Sequence, residues 1–237
     1  MEVKILGTGS TYSESNCTSI IIDKNILIDL SPGTTKQLLK AKYDLRSINT
    51  ILITHLHFDH ILDFPIFISN IKILKIKHKI NIYGPKDTKD KLLSLLEILD
   101  ETENYQFANN NLNFIEIYNN QEINTNNYFI KVKKVVHNET EAYGFIINSH
   151  LGITGDSTYC KNIEEIYKAS DILICDCSVV KSDIYHMGID SIISLQNIDN
   201  TKKIIPIHYR DETKKILKEM NLKNIVIVKD GYEFTIE

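Results

Sequence analysis

Thr54-His55-Leu56-His57-Phe58-Asp59-His60 decides how this chain is read. Three of its eight histidines fall inside that window, beside a carboxylate. The apolar run Thr50 to Ile53 comes directly before it and reads as a short buried strand. The cluster therefore stands where a strand ends and a helix begins, a usual place for chemistry in layered α/β folds. Neutral imidazoles with a carboxylate suit zinc, manganese or iron(II) far better than magnesium or calcium. The bland alternative is a polar turn with several solvated histidines.

One turn cannot easily wrap four donors around a single ion. Tetrahedral zinc wants ligands from several directions, and a catalytic ion keeps one position open to water. Splitting the cluster is more natural: His55 and His57 toward one ion, Asp59 and His60 toward a second. Each ion then needs donors from elsewhere. His137 follows Lys131 to Val136, Asp156 follows Gly152-Ile153-Thr154-Gly155, and His208 follows Ile204-Ile205-Pro206-Ile207. Each comes after a β-branched run, so each can sit at a strand end on one rim of a sheet. A lone residue of this kind is more often structural. The case rests on their number and on their fit to an incomplete cluster.

With these residues the chain resembles the metallo-β-lactamase superfamily, with its His-x-His-x-Asp-His motif and later His, Asp and His. The resemblance covers nearly the whole sequence and is nearest to the ribonuclease Z-like, phosphodiesterase branch. Ile5-Leu6-Gly7-Thr8-Gly9-Ser10, Asn16-Cys17-Thr18-Ser19 and Leu27 to Gly33 resemble the opening of that branch. Ile82-Tyr83-Gly84-Pro85, Ala142-Tyr143-Gly144-Phe145 and Gly155-Asp156-Ser157 match it further along. Cys175-Asp176-Cys177-Ser178 stands where the branch usually has His-Glu-Ala-Thr. Met187-Gly188 follow His186 where the branch has Ser-Thr.

The resemblance implies an α/β fold, a four-layer αββα metallo-β-lactamase sandwich, and a dinuclear metal-dependent hydrolase. Carried residue by residue, one ion falls on His55, His57 and His137, the other on Asp59, His60 and His208, and Asp156 bridges them. Two ions about 3.5–4 Å apart hold a bridging hydroxide and clamp the oxygens of a displacement. Zinc is the expected metal, with manganese or iron as alternatives. Asp29 matches an outer aspartate that fixes an imidazole tautomer; its other reading is a cap before Ser31-Pro32-Gly33. Asp59, His186 and Asp176 are the residues expected nearest the reaction. In the branch the matching histidine faces the substrate phosphate and assists the leaving group, with an acidic partner, here Asp176. The alternative for His186 is a loop histidine before a helix beginning near Gly188.

One departure narrows the substrate. From position 137 to position 156 the chain advances only 19 residues. Bacterial ribonuclease Z usually carries there a long arm that grips transfer RNA; this sequence has room for a hairpin through Asn148-Ser149-His150. The expected substrate is a small or cyclic phosphodiester, such as a cyclic nucleotide or cyclic phosphate. The competing readings are a ribonuclease Z-like RNA 3′-processing nuclease, a lactone, thioester or β-lactam hydrolase, and a metal-stabilised nucleotide sensor without turnover. An oxygen-reducing di-iron protein is disfavoured, because that branch usually has Glu where this chain has His57.

Bulk properties agree. A chain of 237 residues, 43% of them hydrophobic, can bury one large core, so residues 1–237 read as a single hydrolase domain. No apolar stretch approaches the roughly 18 residues that span a bilayer. The first residues enter a strand pattern at once, without signal-peptide architecture. Cys17, Cys160, Cys175 and Cys177 are too sparse for a disulfide framework, which fits a reducing cytoplasm. Cys175 and Cys177 alternate along an apolar strand and read as small core residues. A net charge of −4 argues against a general nucleic-acid coat. Lys72, Lys75, Lys77, Lys79 and Lys86 form a basic run that reads as a solvated face, with RNA binding as the alternative. A homodimer is implied by the resemblance alone.

The coarse pass places strands at 2–6, 18–23, 26–30, 50–54, 80–83, 128–136, 142–148, 150–154, 171–175, 203–207, 224–228 and 232–236. Helices are expected at 34–42, from 63 with Pro65 in the first turn, and at 88–99, 160–169, 189–198 and 212–220. The helix at 88–99 should bury Leu92, Leu95, Leu96 and Leu99 along one face. The Asn-rich span 104–127 reads as meander and surface loop, with a short strand around 114–118 and a turn at Asn119-Asn120.

Overall fold

Short β-branched runs become strands, and amphipathic runs between them become helices. A computed structural model describes residues 1–125 and 127–237. In chain order the elements are β1 (Glu2–Gly7), β2 (Ser19–Ile22), β3 (Ile26–Ile28), α1 (Thr34–Lys40), β4 (Thr50–Leu52), α2 (Phe58–Ile61), α3 (Phe64–Ile73), β5 (Ile80–Gly84), α4 (Thr88–Ile98), α5 (Thr102–Asn111) and β6 (Leu112–Glu116). There follow β7 (Glu122–Thr125), β8 (Tyr128–His137), β9 (Thr140–Ile147), β10 (Leu151–Ile153), α6 (Lys161–Lys168), β11 (Ile172–Asp176), α7 (Ile189–Ile198), β12 (Lys203–Ile207), α8 (Asp211–Met220) and β13 (Tyr232–Thr235). Backbone contacts gather these into two compact units.

The first unit comprises Met1–Gly7, Asn16–Ile117 and Asp230–Glu237. Its sheet has the order β13-β1-β2-β3-β4-β5-β6 among the described residues. β13, β1, β2 and β3 pair antiparallel, whereas β3, β4, β5 and β6 run parallel. The parallel strands are joined through helices, as parallel connections require. Leu27, Ile51, Phe64, Phe67, Leu92 and Leu96 are fully buried in its core. Because β3 and β4 point the same way, the residues after them, from Asp29 and from Ile53, emerge at one edge.

The second unit comprises Thr8–Ser15 and Tyr118–Lys229. Its sheet has the order β12-β11-β10-β9-β8-β7 among the described residues. β10, β11 and β12 are mutually parallel; β9 is antiparallel to both β10 and β8. It follows that β8, β10, β11 and β12 all run one way and end on one rim. Ile163, Ile166, Tyr167, Leu173 and Ile192 fill the core beneath α6 and α7. Gly144 and Gly152 sit where α6 approaches: a Cβ on Gly144 would meet the Ile166 side chain at 2.7 Å, and one on Gly152 would meet it at 2.7 Å too.

Three expectations are corrected. Residues 102–111 form a helix, α5, where composition suggested loop. Asn104 and Ala108 are buried, and α5 packs against α3 and α4, so tertiary contact overrides weak helix propensity. Asn126 of that span lies outside the described residues. Residues 224–228 make one bridge, Ile225 to Ile204, and no strand; Ile225 and Ile227 pack against the core instead. α4 stops at Ile98 and leaves Leu99 57% exposed, while Leu93 joins Leu92 and Leu96 in the core. The other expected strands and helices, and the turn at Asn119-Asn120, fall within a few residues of their expected bounds, whereas β7 and the single turn α2 had no expected counterpart.

All four cysteines are free thiols, with Cys175 and Cys177 buried. Burial raises both thiols well above their ordinary pKa, and nearby Asp176 adds to the rise. No described helix is long and apolar enough to cross a membrane.

Candidate metal and catalytic site

In the first unit, Asp29 follows β3 in the left-handed region, at φ +59°. Aspartate tolerates this better than most residues. The turn aims its carboxylate at the end of β4. Thr54 donates to it twice, from its backbone N–H to Oδ1 and from its hydroxyl to Oδ2, both at 2.8 Å. Asp29 Oδ2 also lies 2.7 Å from His60 Nδ1. The tautomer with its proton on Nδ1 presents His60 Nε2 as the donor for a metal.

His57 precedes α2, and Asp59 occupies the first helical turn, where a carboxylate meets the positive end of the helix. His55, Asp59 and His60 are buried and His57 is half-buried. The His55 ring lies 4.7 Å from that of His57 and 4.1 Å from that of His60. His60 Nε2 stands 3.8 Å from Asp59 Oδ2. Four potential ligands are thus gathered at one strand end.

In the second unit, the common rim receives His137 from β8, Asp156 just beyond β10, Asp176 at the end of β11 and His208 just beyond β12. All four are buried. Gly155 and His208 turn the chain out of their strands with φ +61° and +59°. His208 Nε2 lies 3.3 Å from Asp156 Oδ2, and His137 Nδ1 donates to the Tyr185 carbonyl at 2.6 Å.

Asp176 is a hub. It accepts from the backbone N–H groups of Ser157 at 3.1 Å and Ser178 at 2.9 Å, and from His186 Nδ1 at 2.9 Å. The His186 ring packs between two others, 5.1 Å from that of His137 and stacked at 5.2 Å on that of His208. Burial opposes a charge on His186, yet the bonded Asp176 carboxylate, with Asp156 and Asp183, carries its pKa from 6.5 to about 9. Asp156, Asp176, His186 and His208 each offer an atom within 4.8 Å of the others.

Imidazole and carboxylate donors, buried and braced by outer hydrogen bonds, are what a zinc, manganese or iron centre requires. The histidine and aspartate clusters fit a dinuclear metal site in this fold. Sequence reasoning missed two parts of this surrounding. The Tyr185 carbonyl that holds His137 is main chain and leaves no side-chain signal. Asp183, which holds the backbone of Tyr185 and His186, looked like any polar loop residue. The lysine run is largely solvated: Lys75, Lys77, Lys79 and Lys86 are exposed, and Lys72 pairs with Glu103.

The family model described as Anti-Pycsar protein Apyc1 matches residues 1–232. Ribonuclease Z of Bradyrhizobium diazoefficiens is 29% identical over 149 residues, which is 61% of this chain and 48% of that protein. The chain spans about half the length of the curated relatives it matches. Among solved structures, a diphosphatase of the PhnP family superposes with a TM-score of 0.80 at 19% identity, covering 100% of this chain and 98% of the other. The short form of human tRNase Z superposes with a TM-score of 0.78 at 19% identity, covering 100% of both. These likenesses establish the expected α/β metallo-β-lactamase fold.

Proposed function

The chain belongs to the Anti-Pycsar protein Apyc1 family and to the ribonuclease Z-like branch of the metallo-β-lactamase superfamily, and we propose that it is a metal-dependent phosphodiesterase acting on a small or cyclic phosphodiester. In this reading residues 1–237 act as one hydrolase domain. His55, His57 and His137 hold one ion, Asp59, His60 and His208 the other, and Asp156 is shared. Zinc is our choice, with manganese and iron(II) as the other outcomes of an elemental analysis. A cytoplasmic homodimer belongs to the same reading.

The Asp176–His186 pair beside Asp156 and His208 carries the proposal. When bound, the two ions supply Lewis acidity and a nucleophile derived from water at neutral pH. The chain's own residues supply the rest. Asp176 accepts from Nδ1 of His186 and fixes the ring, so Nε2 is the nitrogen that hands a proton to the departing alkoxide. General-acid help of this kind is worth about 10²–10⁴-fold. Asp29, through His60 and Thr54, keeps the ligand turn in place before substrate arrives. A phosphodiester with a poor leaving group needs such an acid, whereas a lactone or β-lactam gains less from it.

The short step from His137 to Asp156 supports the small substrate. β9 and β10 join there in a tight hairpin, closed by His150 N–H donating to the Ile147 carbonyl. That interval holds no arm among the described residues, so it has nothing there with which to spend remote binding energy on a large RNA. The test is a panel on a metal-quantified sample: bis(p-nitrophenyl) phosphate, a cyclic phosphodiester, precursor transfer RNA, a lactone and a chromogenic cephalosporin. The small phosphodiesters should turn over fastest. Preferred hydrolysis of the lactone or cephalosporin, or efficient 3′ cleavage of precursor transfer RNA, would overturn the reading.

A further inference from the structure

The loop between β11 and α7 delivers His186, and one exposed carboxylate organises it. Asp183 Oδ1 accepts two backbone N–H groups, from Tyr185 at 2.8 Å and from His186 at 2.8 Å. The Asp183 N–H returns a bond to the His186 carbonyl at 3.0 Å. The peptide units so held are bonded to the catalytic rim as well. The Tyr185 carbonyl accepts from His137 Nδ1, and the Ile184 carbonyl accepts from the Asn138 N–H at 3.1 Å. Ser182 fixes the far end of the loop, donating to Asp190 at 2.7 Å and accepting from the Gly188 N–H at 2.9 Å.

We infer that Asp183 is a positioning residue for His186, setting the backbone from which the imidazole reaches Asp176. This rests on His186 being the acid. Asp183 is itself exposed, so its charge is screened by water and salt. Its charge is the least of the causes that raise the His186 pKa, and its main contribution is an acceptor oxygen at one place. A displacement near 1 Å at a reacting group can cost about 10²-fold, and the His186 ring has little freedom between His137 and His208.

Geometry and charge are separable by substitution. Asp183→Asn keeps an oxygen in place and loses the charge. Asp183→Glu keeps the charge and moves the acceptor by one methylene. Asp183→Ala removes both. Each is assayed beside His186→Ala on a phosphodiester with an alkoxide leaving group and on one releasing p-nitrophenolate, with metal content measured throughout.

Asp183→Ala and Asp183→Glu should lower kcat on the alkoxide substrate by about tenfold or more, a part of what a general acid contributes. KM should hold, and p-nitrophenolate release should change little. Asp183→Asn should stay close to wild type. If Asp183→Ala does not fold, Asp183→Glu carries the same expectation. Asparagine as impaired as alanine would overturn the inference, as charge would then be the cause. Wild-type rates in both alanine and glutamate variants, with a leaving-group-selective loss in His186→Ala, would overturn it and leave the acid role standing. Equal losses on both substrates in His186→Ala would remove the acid role, and the inference with it.

Discussion

Both units place a buried aspartate behind a histidine at the end of a strand, yet they assemble their donors in opposite ways. In the first unit Asp29 stands 2.7 Å from His60, and the four potential ligands lie within six consecutive residues. In the second, Asp176 stands 2.9 Å from His186, and its neighbours come from strand ends tens of residues apart. A turn that carries all its donors needs only the strand before it and one brace from the strand beside it. A rim built from β8, β10, β11 and β12 exists only once the whole sheet is paired. The first half is local and written in sequence; the second is topological.

The comparison breaks most readily at Asp156. In the proposed arrangement it is the shared anion, so Asp156→Ala leaves two cations close together without a bridging charge. Loss of kcat/KM on bis(p-nitrophenyl) phosphate should exceed the ~10²–10⁴-fold typical of a general acid. A loss under tenfold would remove Asp156 from the shared position. Asp29→Ala should act more mildly, because it removes a brace and no ligand. Metal affinity should fall by about 10–100-fold, the usual range for such partners, measured by competition with a chelator. Unchanged affinity would mean that the turn orients itself.

The contrast explains what was legible in the chain. His55, His57, Asp59 and His60 stood out because their spacing is chemical. His137, Asp156 and His208 were found as residues after β-branched runs, and such runs do form β8, β10 and β12. α5 was missed because Thr102 to Asn111 has weak helix propensity and shows its pattern only against α3 and α4. The segment 224–228 looked like a strand because Ile225 to Val228 is an unbroken β-branched run, but Ile225 and Ile227 pack against the core instead. Asp183 could not be read at all, since its partners are backbone N–H groups.

The smallest effect is expected at the exposed lysine run. Replacing Lys75, Lys77 and Lys79 together by alanine should leave kcat/KM for a small phosphodiester within about twofold, since exposed substitutions usually stay within ~0.5 kcal/mol. A selective loss of RNA cleavage in this variant would move the run from solvated face to binding surface.

The proposed function rests on a dinuclear centre. It is tested most directly by titrating metal-free protein with zinc or manganese and reading bound metal by elemental analysis. Saturation is expected at about two ions per chain, with phosphodiesterase activity following occupancy. Saturation at a single ion with full activity would contradict it.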